Sequence, residues 1–119
     1  MLQQDMTGFY NSTVEKRKDS RRMMDMVHEP VMEYLKVNIA EYTKIPWVET
    51  GGGPRYGSDH RSDIQAGYLA AIVIEGAFDA INNHIHGSKD STEYTGYDYM
   101  IDYSQLTLSF LYELAFADL

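Results

Sequence analysis

The sequence predicts a mainly α, single-domain protein: a small bundle of about four helices with a long glycine-rich loop, spanning residues 1–119. Three observations lead to this prediction. The chain of 119 residues is long enough for one core. Capping boxes and a proline mark helix starts, and apolar residues recur at steps of three and four. The alternative is an α+β fold with a C-terminal β-hairpin.

The first helix is predicted from Ser12 to about Val27, because Ser12 and Glu15 form a capping box. Its first half is basic, and the apolar residues near Val27 supply its packing surface. The helix is therefore expected to be anchored by its C-terminal half.

The second helix is predicted over residues 30–44. Pro30 suits a first helical position, where no backbone donor is needed. Met32, Leu35, Ile39 and Tyr42 recur at helical spacing and share one face. This face is expected to join the core.

The segment from Val48 to Arg61 is predicted to be the main loop, because it contains Gly51-Gly52-Gly53-Pro54 and Gly57. A phosphate-binding loop of the P-loop kind requires Gly-Lys before a helix, and the sequence contains no Gly-Lys pair. A surface loop is therefore the expectation.

The third helix is predicted from Ser62 to His86, with Ser62 and Gln65 as a capping box and Gly87 as the stop. Its apolar face steps by three and four without a break: Ile64, Gly67, Ala71, Ile74, Phe78, Ile81 and Ile85. This helix is expected to be central.

The last helix is predicted from about Asp98 to Phe116, although alternation from Leu106 to Leu114 also fits a strand. Thr107 and Tyr112 are poor helix formers. The helix is favoured because three preceding helices need a fourth face to close a bundle.

The sequence contains no cysteine, which excludes disulfides, thiol nucleophiles and cysteine-ligated metals. The longest apolar run, Tyr68 to Ile74, is far shorter than the ~20 residues of a membrane span. The first residues do not resemble a secretory signal. We therefore expect a cytoplasmic protein without membrane contact.

Candidate metal ligands are Glu75, Asp79 and His86, which would share the polar stripe of the third helix. Bundles that hold two metals use a Glu-x-x-His pair from each of two helices, and that pair is absent here. We interpret the stripe as solvated, and His84 with His86 as helix-end caps. No metal and no cofactor are expected.

An acid-base pair is conceivable at Asp59-His60, but no recognisable catalytic spacing accompanies it. The sequence is therefore interpreted as that of a protein without enzymatic activity.

The charge pattern points to a protein partner. The net charge is -8, and no Lys or Arg follows Lys89. Carboxylates spaced among tyrosines can imitate a nucleic-acid backbone, so they form the predicted partner-binding surface. Its residues are Glu93, Tyr94, Tyr97, Asp98, Tyr99, Asp102 and Tyr103.

The functional hypothesis is a small acidic protein that binds a basic protein surface. It would act as an inhibitor that occupies a nucleic-acid-binding groove, like viral anti-defence proteins; this is an analogy of size and charge. The net charge opposes direct nucleic-acid binding. The alternatives are a structural subunit that binds a second copy of itself and a metal-dependent hydrolase.

Overall fold

The computed structural model describes residues 1–9, 21–24, 28–50, 57–76 and 81–117. Its strands are β1 (Leu2–Asp5), β2 (Arg21–Met24), β3 (Trp47–Thr50) and β4 (Ala71–Ile74). Its helices are α1 (Glu29–Tyr42), α2 (His60–Gln65) and α3 (Tyr97–Phe116), with a 3₁₀ turn at Thr92–Tyr94. The described part of the chain is therefore α+β, and the predicted four-helix bundle is wrong.

The four strands form one mixed sheet in the order β1-β4-β2-β3. β1 runs parallel to β4, β4 antiparallel to β2, and β2 parallel to β3. β4 lies inside the sheet, and its sequence Ala-Ile-Val-Ile is buried throughout. Such short apolar runs, rich in β-branched residues, are typical of strands covered on both faces.

The two faces of β4 have different neighbours. Ala71 and Val73 belong to the main core, which includes residues from α1 and α3. Ile72 and Ile74 point to the opposite face, where Met6 and Ile81 pack against them. The helices α1 and α3 therefore cover one face of the sheet, whereas His60 at the start of α2 lies near the other face, beside Ile72 and Ile74.

The predicted second helix is confirmed as α1, Glu29–Tyr42. Pro30 lies in its first turn, and Met32, Leu35 and Ile39 are buried as the spacing predicted. Tyr42, the fourth residue of the predicted face, is 42 % exposed. At its end the Thr43 hydroxyl donates a hydrogen bond to the Ile39 carbonyl at 2.8 Å, which satisfies one of the last carbonyls.

The predicted last helix is confirmed as α3, Tyr97–Phe116, and the alternative C-terminal hairpin is not formed. Tyr99, Tyr103 and Leu106 are buried at helical spacing. Phe110 meets Tyr34 of α1 edge to face, with ring centroids 5.6 Å apart. Tertiary packing thus outweighs the weak helix propensity of this segment.

The predicted third helix is wrong. Among the described residues of that span, helix is confined to α2, His60–Gln65, and Gly67 follows it with a φ of 86°, which a helix does not permit. Ala71–Ile74 is a strand, and residues 83–86 form a turn. An uninterrupted apolar run satisfies helical spacing and strand burial equally, so its periodicity misled the prediction. Phe78 lies outside the described residues.

The predicted first helix falls mostly outside the described residues, at 12–20 and 25–27. The described part, Arg21–Met24, is strand β2, so a continuous helix over 12–27 is wrong. The predicted loop over Val48–Arg61 is wrong at both ends, because Trp47–Thr50 is strand β3 and α2 begins at His60. Residues 51–56 lie outside the described ranges.

Within the described ranges, no helix has the length and apolar character needed to cross a membrane.

Leu35 provides a test of the core, because its side chain is 0 % exposed between α1 and the sheet. Leu35→Ala should lower the free energy of unfolding by about 2 to 5 kcal/mol, through lost burial and a residual cavity. Val37→Ala, at a position 65 % exposed on the same helix, should change it by less than about 0.5 kcal/mol. Denaturant titration measures both; equal losses would contradict the packing of α1.

Candidate active site

Parallel pairing brings two acidic residues to one edge of the sheet. In the register of β1 and β4, Asp5 lies opposite Ile74, and Glu75 follows directly. Both strands therefore end at the same edge. In α/β proteins, ligands bind beyond the carboxyl ends of parallel strands, so this edge is where a site is expected.

A cleft of about 690 Å³ lies at this edge, on the face of the sheet away from α1 and α3. Its apolar lining is Met6, Phe9, Ile72, Ile74, Ile81 and Ile85. Its polar lining is Asp5, Ser58, His60, Glu75, Asn82, His86, Asp90 and Thr95. An apolar cleft with a few convergent polar groups is the common form of a small-ligand site.

Glu75 is the most buried acidic group of this cleft, at 5 % exposure. Its Oε2 accepts a hydrogen bond from the Phe9 backbone N–H at 2.9 Å, and its Oε1 accepts one from the Asn82 N–H at 3.1 Å. Burial raises the pKa of Glu75 to about 7; the two N–H donors oppose this rise, and the nearby Asp5 charge adds to it. Perturbed carboxyl groups in clefts are typical of functional sites.

Two residues of the cleft have strained backbone. Met6 has a φ of 52° and His86 a φ of 63°, and among the described residues these are the non-glycine positions with positive φ. This conformation is costly for residues with a Cβ, and it concentrates at functional sites. Both residues line the cleft.

Short-range contacts stabilise the part of the cleft lining that comes from residues 82–90. The His86 N–H donates to Asp90 Oδ2 at 3.3 Å, and the His84 N–H donates to Asn82 Oδ1 at 2.9 Å. The His84 ring stacks on Tyr94 with centroids 4.3 Å apart. These contacts fix the turn that carries His86.

The wall formed by residues 6–9 is attached to the start of α3. The Gly96 N–H donates to the Gly8 carbonyl at 2.6 Å, and Phe9 pairs with Thr95 in an antiparallel bridge. A Cβ at Gly8 would lie 3.2 Å from Thr95 Cγ2, closer than ordinary packing. Glycine therefore permits the close approach of these two segments.

The residues of the predicted partner-binding surface do not lie together on the surface. Tyr99, Asp102 and Tyr103 are 7 %, 5 % and 3 % exposed and face the core. Exposed positions are Glu93, Tyr97 and Asp98, whereas Tyr94 is half-buried against His84. None of the seven lines the cleft. Binding of a partner by the exposed ones remains a prediction.

The sequence interpretation missed the cleft. It placed Glu75 and His86 on a solvated helix face, but Glu75 is buried at a strand end and His86 lies in a turn, so it caps no helix there. Asp79 is outside the described residues. His60, considered with Asp59 as a loop pair, begins α2 and lines the cleft at 4 % exposure. A carboxylate directly after a buried apolar run was the available signal.

Comparison with known proteins finds aminopeptidases. Leucine aminopeptidase 1 of Chaetomium globosum is 45 % identical over 99 % of this chain, and that of Trichoderma harzianum is 44 % identical over the same share. The Legionella pneumophila LapA aminopeptidase superposes with a TM-score of 0.82 and 30 % identity over 96 % of this chain. No family model matches the sequence.

This chain spans about 30 % of the length of each of these relatives, with 29 % of the Chaetomium enzyme and 30 % of the other two. The relatives are enzymes, and they correct the sequence interpretation. The hypothesis of a non-enzymatic, viral-type inhibitor that imitates nucleic acid is wrong, because it rested on charge and size without a shared motif.

Glu75 should make the stability of the protein depend on pH. Its carboxyl holds a proton up to about pH 7 when folded, against an ordinary pKa of 4.5. The stabilisation of the folded state by this bound proton is therefore complete below pH 4.5, and it is lost as the pH rises through about 7. The free energy of unfolding of the parent protein, measured as a difference from that of Glu75→Gln, should fall by about 1 to 3 kcal/mol between about pH 4 and pH 8. A difference that stays constant over this range would contradict the burial of Glu75.

Proposed function

We propose that this chain supplies one part of the active-site cleft of an aminopeptidase. The observation that carries this proposal is the cleft at the shared end of β1 and β4, found in a segment similar to aminopeptidases over almost its whole length. Acidic, imidazole and apolar groups all line this cleft.

The groups in the cleft suit removal of an N-terminal residue. Such a reaction needs an anionic group to bind the free α-ammonium and a base to take a proton from the attacking water. Asp5 supplies a carboxylate, and His86 supplies an imidazole, the side chain that most often acts as a general base. Ile72 and Ile74 offer an apolar wall to a side chain such as leucine.

Aminopeptidases commonly use a pair of metal ions to position water and substrate. The described residues do not contain three His, Asp or Glu side chains close enough to hold a metal ion. This part of the chain does not form such a centre by itself, and no step of the proposal passes through one. The role proposed for it is to bind the peptide terminus and to shape the cleft.

The outer face of α3 supports a role within a larger domain. Ile101, Leu108 and Leu111 are 54 %, 67 % and 58 % exposed along this face. An apolar groove of about 640 Å³ lies beside them, with Tyr112 and Phe116 in its lining. Exposed apolar patches of this kind mark contact sites. Because the relatives are about three times longer than the matched segment, the proposed occupant is polypeptide equivalent to their remaining part.

A chimera tests this function. This chain should replace the matching segment of Chaetomium globosum leucine aminopeptidase 1, and release of leucine from leucine p-nitroanilide should then be measured. The chimera should be active. Asp5→Asn should lower kcat/KM by about 100-fold or more, because it removes an anionic group from the reaction site.

The matched control is Asp98→Asn, at an exposed position on α3 away from the cleft, which should leave kcat/KM unchanged. Leu108→Asp should lower the melting temperature of the chimera but not that of the free chain, because only the chimera covers this side chain. A folded but inactive chimera, or equal losses for Asp5→Asn and Asp98→Asn, would contradict the proposed function.

A further inference from the structure

Glu75 joins two walls of the cleft that come from distant parts of the sequence. Its carboxylate accepts the Phe9 N–H, 66 residues away, and the Asn82 N–H, 7 residues away. Phe9 belongs to the segment that follows β1, and Asn82 to the segment that carries His86. One side chain thus connects the ends of both walls.

We propose that Glu75 is a positioning residue that holds these two walls at a fixed separation and thereby sets the shape of the cleft. The effect of Glu75 on catalysis rests on the proposed function, whereas its attachment to the two walls rests on the two hydrogen bonds alone. At 5 % exposure, the side chain has no room to serve as an ordinary surface charge.

A carboxylate fits this task better than a neutral group. Both of its oxygens accept hydrogen bonds, so it can satisfy two backbone donors at once. A glutamine presents one oxygen and one NH₂ group, and the NH₂ group cannot accept from a backbone N–H. An aspartate keeps the charge but is one methylene shorter, so it cannot span the same two donors.

Each of the two walls also contains a residue with strained backbone. Met6 and His86, with φ of 52° and 63°, lie in the two walls that Glu75 connects. Backbone in this conformation persists when surrounding contacts over-determine it. The two hydrogen bonds to Glu75 are contacts of that kind, one on each wall.

The two hydrogen bonds to Glu75 should depend on pH, because protonation turns one of the two acceptor oxygens into an O–H donor. Burial places the pKa of Glu75 at about 7, so this change falls near neutral pH. The titratable groups that share the cleft with it are Asp5 from β1, His60 from α2, and His86 and Asp90 from the segment after β4.

Amide resonances of the free chain give the test. In the parent protein the Phe9 and Asn82 N–H resonances should move together with pH and share one midpoint near 7, because both amides donate to the same titrating carboxyl. In Glu75→Gln, one of these two amides should exchange with solvent about ten-fold faster, the factor expected for one lost hydrogen bond. Glu75→Asp should keep a pH response but lose protection at one of the two amides.

The control is Glu41→Gln, at an exposed position on α1 on the other side of the sheet, which should alter neither amide. Resonances of Phe9 and Asn82 that ignore pH, titrate with different midpoints, or remain unchanged in Glu75→Gln would overturn the proposal.

Activity of the chimera separates this inference from the proposed function. Glu75→Gln in the chimera should remove the part of the pH dependence of kcat/KM that Glu75 contributes near pH 7, and it should leave a measurable rate. An inactive chimera with the predicted amide behaviour would overturn the proposed function, but it would support the role of Glu75 in positioning the two walls. An active chimera without that amide behaviour would overturn the role of Glu75.

Discussion

The parallel pairing of β1 with β4 is the constraint on which the rest of the structure depends. Parallel strands cannot be joined by a tight turn, so residues far apart in sequence must meet. Here Leu2 pairs with Ala71 and Asp5 with Ile74. The pairing brings two strand ends to one edge, and it places Asp5 and Glu75 in the lining of the same cleft. A slip of one residue would turn Asp5 away from the cleft and Gln4 away from the helices.

The two faces of β1 contact different parts of the structure. Gln4 points to the helix side, where its amide donates to the Tyr103 carbonyl at 2.9 Å and its oxygen accepts from the Thr107 hydroxyl at 2.9 Å. Gln3 points to the other side and contacts the Ser58 hydroxyl at 3.3 Å. The position of α3 and the position of Asp5 are therefore set by the same strand, and buried apolar residues of β4 support both.

Much of the helical structure could be predicted from the sequence, and the sheet could not. α1 has a proline start and a separate apolar face, so local signals agree with its packing. The segment before Glu75 is an unbroken apolar run, and nothing local distinguishes a buried strand from a helix there. The pairing of β1 with β4 depends on contacts across the chain that local periodicity does not record. The candidate site was missed for the same reason: its groups meet only when the two strands pair.

The charge pattern was informative about surface but not about function. Tyr99, Asp102 and Tyr103 alternate with exposed residues because one face of α3 is buried, which explains much of the spacing that had indicated a binding surface. Glu75, which the helical interpretation placed in solvent, is buried between two backbone donors. The polar groups with the most bearing on function are thus the ones that local patterns assign least well.

The most direct test of this account is an NMR titration of the Glu75 side-chain carboxyl carbon, assigned by comparison with Glu75→Gln. A carboxylate buried at the end of β4 between two backbone donors should titrate with a midpoint of about 7. A midpoint near the ordinary value of 4.5 would show that burial does not dominate the pKa of this carboxyl. That result would contradict the buried position of Glu75 directly after β4 and its place in the cleft.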